Sequence, residues 1–256
     1  MSVTGAVDWD QWLRRWDAQQ TVYLPDRESR FDAMLDVVQA LLPETLVALD
    51  LASGPGSLSQ RLLRRLPKAR CIAVDLDPVL LAMGRAVLGN FGRRLAWVEA
   101  DLRDRAWAER LGVREVDAVL TTTALHWLEP DDVRALCTTL AQLVRPGGVV
   151  LNGDHLAFPL HLPTLQQAAR TLKGRRLEER RTAPGAEDWD QWWAAIEAVP
   201  ALRELCAERK RRFAWREKND TPPPLELYEQ ALADAGFREV GVIWQNMDNR
   251  VLMAVR

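Results

Sequence analysis

Two glycines and two acids are the first residues in the chain whose types and spacing suggest ligand chemistry. The run Asp50-Leu51-Ala52-Ser53-Gly54-Pro55-Gly56 follows a short apolar segment. Glycines in such a turn let backbone amides approach a ligand with no Cβ in the way. Asp75 stands about twenty residues further on, at the end of a second apolar segment. An ionised carboxylate only accepts hydrogen bonds, so an acid there suits the paired hydroxyls of a ribose. Further along, His126, Asp154 and His155 supply titratable groups that can move a proton.

The elements that must position these residues alternate. Residues 8–42 read as helical, with Trp9, Trp12 and Trp16 at helical spacing and a break around Pro25. Strands are predicted at 46–51, 71–74, 95–98, 117–120 and 149–153, with helices between them. Pro78 opens one helix at a position where proline is tolerated. The acidic Glu129-Pro130-Asp131-Asp132 opens another, at the positive end of a helix dipole. Arg145-Pro146-Gly147-Gly148 turns the chain into the fifth strand. A helix at 225–235, with Gly236 as its cap, precedes two strands at 240–244 and 251–255. The short join 245–250 requires these two to be antiparallel. The expected fold is therefore α/β, a Rossmann-like, doubly wound, mostly parallel seven-stranded sheet closed by an antiparallel hairpin.

Residues 156–221 interrupt the rhythm with Pro159, Pro163, Pro184 and Pro200, a charged stretch at 173–181 and a tryptophan-bearing helix around 188–216. They are expected to form a helical lid inserted into a single domain spanning 1–256, with 1–42 as an N-terminal helical cap. The run Asp8-Trp9-Asp10-Gln11-Trp12 recurs at 188–192, too short an echo to count as a repeat.

The elements in this order resemble class I S-adenosylmethionine-dependent methyltransferases. Asp50, Gly54 and Gly56 match the family's first motif, with Ser53 where Cys or Gly is commoner. The resemblance implies that this loop holds the cofactor's amino-acid end and Asp75 its ribose, with Leu76 against the adenine. Asp101, in Glu99-Ala100-Asp101-Leu102, would accept from the adenine amino group beside Leu102. Thr121 and Thr122, in the run Asp117 to Trp127, would face the methionine part, and Arg145-Pro146-Gly147-Gly148 matches the turn before strand five. The likeness covers roughly 45–155 and resumes over 223–256. It implies S-adenosyl-L-methionine as cofactor and S-adenosyl-L-homocysteine as product. Tyr23 and Arg27 are placed at the cofactor carboxylate, by analogy with the helix that closes over the nucleoside in related enzymes.

Thr121-Thr122-Thr123-Ala124 replaces the Asn/Asp-Pro-Pro-aromatic loop of enzymes that methylate base amines. That favours a small-molecule acceptor, as in the trans-aconitate-like branches. Trp189, Trp192 and Trp193 suggest an aromatic or apolar acceptor pocket, although tryptophans at helical spacing are more often core. His126 is the expected general base, with Asp154 and His155 as further candidates at the same sheet edge.

Composition narrows the partners. A net charge of −2 gives no general drive toward nucleic acid or an anionic membrane. No run is long and apolar enough to span a bilayer. Cys71, Cys137 and Cys206 lie far apart, which fits a reduced, cytoplasmic protein and gives no metal-ligand spacing. Two rivals remain: a nucleotide-dependent oxidoreductase, against which Ser59 stands where a third glycine belongs, and a non-catalytic S-adenosylmethionine-binding regulator. Nothing in the residues names the oligomeric state.

Overall fold

A computed structural model describes residues 7–24, 26–181, 187–216 and 222–256. Pro25 and Pro184, read above as chain breakers, lie outside them. The chain begins with helices α1 (Trp9–Tyr23) and α2 (Arg27–Leu41). Then come β1 (Val47–Leu51), α3 (Ser57–Arg65), β2 (Arg70–Asp75), α4 (Pro78–Leu88) and β3 (Leu95–Glu99). The second half-sheet holds β4 (Val116–Thr122), α5 (Pro130–Leu143) and β5 (Val144–His155). After α6 (Pro163–Arg181), α7 (Trp189–Glu197) and α8 (Arg203–Arg212), the chain returns through α9 (Leu225–Asp234), β6 (Glu239–Asn246) and β7 (Asn249–Val255).

The strand order is β3-β2-β1-β4-β5-β7-β6. The first five strands are parallel, and β7 runs antiparallel to both neighbours. Strand order reverses between β1 and β4, so a crevice opens beyond their carboxyl ends, where open α/β sheets bind ligands. The period of two along β1 sorts the core. Leu49 and Leu51 face the α5 and α9 side with Leu136, Leu140 and Leu232. Ala48 faces the other side, with Phe31 and Met34 of α2 and Leu58 and Leu62 of α3. Helix α2 is thus one of the layers that cover the sheet.

Three departures from the sequence reading have local causes. The single helix expected at 188–216 is two, because Pro200 has no N–H to continue α7 and opens a short 3-10 turn before α8. Pro163 begins the 19-residue α6, which takes in the charged stretch. Arg145-Pro146-Gly147-Gly148 lies within a long, irregular β5, with a register shift between Val116 and Ala118 of β4. The closing hairpin is also tighter than expected, its strands meeting at Met247 and Asp248, with Met247 at φ 56°.

The repeated Asp-Trp-Asp-Gln-Trp run has a capping origin. Asp8 accepts from the Gln11 amide and Asp188 from the Gln191 amide, each at 2.9 Å, so both copies start a helix. The helices they start meet. Trp12 and Trp16 pack edge-on against Trp192 at 5.7 and 5.0 Å, over Val79, Leu80 and Met83 of α4.

Candidate active site

One cleft of about 550 Å³ lies beyond the β1 and β4 ends, within the size range of small-molecule sites. Its floor is the turn after β1. Gly54 (φ 56°) and Gly56 (φ 84°) adopt left-handed backbone, and a Cβ on Gly56 would come within 2.7 Å of the Trp97 ring. Ser53 and Gly54 border the cleft, whereas Gly56 is turned toward Trp97 and is not among the bordering residues. Asp50 also borders it, but one carboxylate oxygen accepts from the Ser59 amide at 3.0 Å and the Ser59 hydroxyl at 2.6 Å. Burial pushes Asp50 up to about 7 against the pull of those two bonds. Ser59 thus clamps β1 to α3.

Asp75 tips β2 across the turn. Its Oδ2 accepts from the Gly54 amide at 2.6 Å and its Oδ1 from the Asp77 amide at 2.7 Å. Each oxygen keeps a lone pair for a ligand hydroxyl. Burial, then the charge of Asp77, raises it to about 6. Asp77 rather than Asp75 caps α4, accepting from the Val79 and Leu80 amides, and it pairs with Arg209 at 2.7 Å. Leu76, Asp101 and Leu102 continue the wall. Arg103 holds both oxygens of Asp101, at 3.0 and 2.6 Å. Burial would raise Asp101, but the Arg103 hydrogen bonds outweigh it and leave the acid below its ordinary value.

The opposite end is built by β4 and β5. Nδ1 of His126 lies 2.9 and 3.1 Å from the two oxygens of Asp154, which is 1% exposed. Burial alone would raise Asp154. The charge and hydrogen bond of His126, then Arg30 and His155, prevail and hold it below the usual carboxylate value. Because an ionised carboxylate cannot donate, the proton sits on Nδ1 and Nε2 is the nitrogen left for a ligand. His155 is engaged elsewhere, its Nδ1 3.1 Å from Asp248, and burial lowers its pKa against that partner. Thr122 and Thr123 border the cleft, whereas Thr121 is wholly buried, its hydroxyl without a partner among the described residues, and does not. Tyr23 and Arg27 also border it. Tyr23 accepts from the Trp189 amide at 2.8 Å, and the buried Arg27 pairs with Asp17 at 2.8 Å.

Trp192 and Trp193 are core residues, and only Trp189 of that trio reaches the cleft, so they do not form an aromatic acceptor pocket. Within the basic run 209–212, Arg209 stacks 3.4 Å over Trp193 while holding Asp77, and Arg212 donates to the Leu76 carbonyl at 3.0 Å.

The sequence reading missed Arg30. This fully buried guanidinium donates to the Gly153 carbonyl at 2.9 Å, to Thr122 Oγ1 at 3.1 Å and to Asn249 Oδ1. A Cβ at position 153 would come within 2.5 Å of the Arg30 side chain, so glycine there makes its room. Burial lowers Arg30 to about 10, with Asp154 opposing. One signal was available: Arg27 and Arg30 occupy the same helical stripe as Phe31 and Met34, where cations are out of place.

These groups fit an adenosyl sulfonium nucleoside. The half-used oxygens of Asp75 suit ribose hydroxyls, Leu76 and Leu102 offer apolar faces, and the left-handed turn at Gly54 opens space for a polar tail. S-adenosylmethionine brings to such a site a methyl group on positively charged sulfur. Replacing Asp75 with Ala is expected to weaken its binding by about 1–3 kcal/mol, measured by titration calorimetry. In the parent protein the ionised carboxylate is the better acceptor, so affinity falls as pH drops through about 6. An Asp75→Ala protein with parent affinity would remove Asp75 from the ribose site.

Comparisons with known proteins agree. Residues 48–148 match the family described as "Methyltransferase domain". The trans-aconitate 2-methyltransferase of Azoarcus sp. (strain BH72) is 35% identical over 231 residues, covering 86% of this chain and 76% of that protein. That of Methylobacterium radiotolerans is 32% identical over 148 residues, covering 57% and 52%. Two solved structures share the fold. The S-adenosylmethionine-dependent methyltransferase SibL has a TM-score of 0.55 at 19% identity, covering 90% of this chain and 55% of that one. Human N-acetylserotonin methyltransferase in complex with SAM has a TM-score of 0.50 at 15% identity, covering 93% and 59%. With its cleft beyond the ends of β1 and β4, its strand order and a relative matched over most of both chains, this protein belongs to the class I methyltransferases and uses S-adenosylmethionine as its methyl donor.

Proposed function

We propose that the protein methylates a hydroxyl oxygen of a small organic molecule, with His126 as general base and Asp154 as the group that orients it. The observation that carries this reading is the His126–Asp154 pair, set in the same cleft as Asp75 and Gly54. A sulfonium leaving group needs no proton, so alignment supplies most of the acceleration. A hydroxyl acceptor must lose its proton, and Nε2 of His126 takes it while the buried carboxylate stabilises the imidazolium. Asp75 holds the ribose, Leu76, Asp101 and Leu102 the adenine, and Asp50, Ser53, Gly54 and Thr122 the methionine part. Tyr23 and Arg27 face the cofactor's carboxylate, and α1 with α6, α7 and α8 acts as a lid.

A second reading is a carboxylate acceptor, favoured by the 35% identity to an enzyme named for trans-aconitate. The near-neutral net charge speaks against nucleic acid as acceptor. Among the described residues no helix is long and apolar enough to cross a membrane. The three buried free cysteines favour a reducing, cytoplasmic setting.

The test incubates the protein with S-adenosylmethionine and a metabolite library, and mass spectrometry reads the gain of one methyl. A methyl ether with S-adenosylhomocysteine supports the first reading and a methyl ester the second. Nucleoside binding without turnover of any acceptor would instead favour a regulatory role.

A further inference from the structure

Among the described residues three arginines border the cleft, and two of them already hold an acid. Arg27 pairs with Asp17 and Arg209 with Asp77. The third, Arg216, has no acid in salt-bridge range among the described residues, and its buried Nε has no hydrogen-bond partner. Its guanidinium carbon lies 2.8 Å from the centre of the Trp127 ring. Trp127 in turn lies against His126, with 4.8 Å between ring centres, so the guanidinium and the imidazole share one indole as neighbour.

A planar fork stacked on an aromatic ring, partly drawn out of water and with no acid in contact among the described residues, matches a carboxylate in shape and charge. We propose that Arg216 is the residue that selects the acceptor by charge, binding a carboxylate on it next to the His126 end of the cleft. This rests on the reading of the cleft as the methyl-transfer site. The acceptor it implies is a hydroxy acid, its carboxylate on Arg216 and its hydroxyl toward His126.

Two further observations support this. Burial, then repulsion from Arg209, outweigh the more distant attraction of Asp77 and Asp75 and bring Arg216 down to about 9, so an anion in contact would relieve a cost the free protein carries. The other cation on the wall, Lys173, is exposed and therefore held less firmly in one geometry.

Titration calorimetry on the full chain, with and without S-adenosylhomocysteine, tests the assignment. The probes are 4-hydroxybenzoate, salicylate and trans-aconitate, with 4-hydroxybenzamide and salicylamide as uncharged controls. At least one acid should bind more than about tenfold tighter than the amides, the size expected of one charge-assisted contact. Arg216→Met should erase that preference with unchanged affinity for S-adenosylhomocysteine, and Arg216→Lys should restore part of it. Absence of acid binding in the parent protein would overturn the proposal. So would an Arg216→Met protein that keeps the preference, or one that loses the nucleoside instead. Acid binding without any nucleoside binding would sink the methyl-transfer reading and leave the anion site standing.

Discussion

Replacing Asp154 with Asn is expected to lower kcat by about two to four orders of magnitude, the range a positioned general base supplies. S-adenosylmethionine affinity should stay close to that of the parent. Asp154 touches the imidazole and not the nucleoside end of the cleft. Its charge is secure because His126, Arg30 and His155 together outweigh the cost of burial. An amide in its place can hold Nδ1 as donor or acceptor, and one of those arrangements puts the proton on Nε2, where no base remains. His126→Ala should lose a similar factor. Steady-state kinetics with the acceptor found by mass spectrometry reads both. Turnover within about threefold of the parent in both variants would show that no proton leaves the acceptor in the slow step, as for a carboxylate that arrives ionised. The same carboxylate carries a pH signature in stability. Its folded value lies below the unfolded one, so its contribution is present above the ordinary Asp value near 4 and is lost as pH falls through the lowered one.

Arg30→Met is expected to destabilise the fold by about 3–5 kcal/mol, the usual cost of removing one member of a buried charge network. The Gly153 carbonyl, Thr122 and Asn249 all lose a donor, and Asp154 loses a nearby positive charge. For a chain of this size each kcal/mol corresponds to roughly 2–4 °C in Tm. Chemical denaturation and thermal melts measure the loss. Arg30→Lys should recover only part of it, because one ammonium cannot reproduce a fork that spans β4, β5 and β7. A loss below about 1 kcal/mol would mean that the network is no stabilising junction.

The parallel half of the sheet was readable because its strands are short apolar runs, two of them closed by the Gly54 turn and by Asp75, residues whose backbone or side-chain chemistry ends a strand. The closing hairpin was readable from its short join. What was obscured shares a cause, in that local sequence and distant partners disagree. Pro163 looks like a break until it stands in the first turn of α6, whose many charged residues form no apolar stripe. Trp192 suits a pocket wall as well as a core until Trp12 and Trp16 arrive from the other end of the chain. Arg30 donates to groups on β4, β5 and β7, so no window of sequence around it contains its reason. Gly54, Asp75, Asp101 and Thr122 were easier because each stands at or just after the end of a strand, and the fold alone brings strand ends together.

The tryptophan cluster gives the protein an optical signature. Five indoles, Trp12, Trp16, Trp189, Trp192 and Trp193, stand edge-on or tilted to one another at ring separations of 4.9 to 6.5 Å. Rings that close and that fixed couple their electronic transitions, producing intense near-ultraviolet circular dichroism from the junction of α1, α7 and α4. Trp16 and Trp189 also border the cleft. A shift of those helices on ligand entry would therefore rewrite the spectrum while the sheet beneath stayed still.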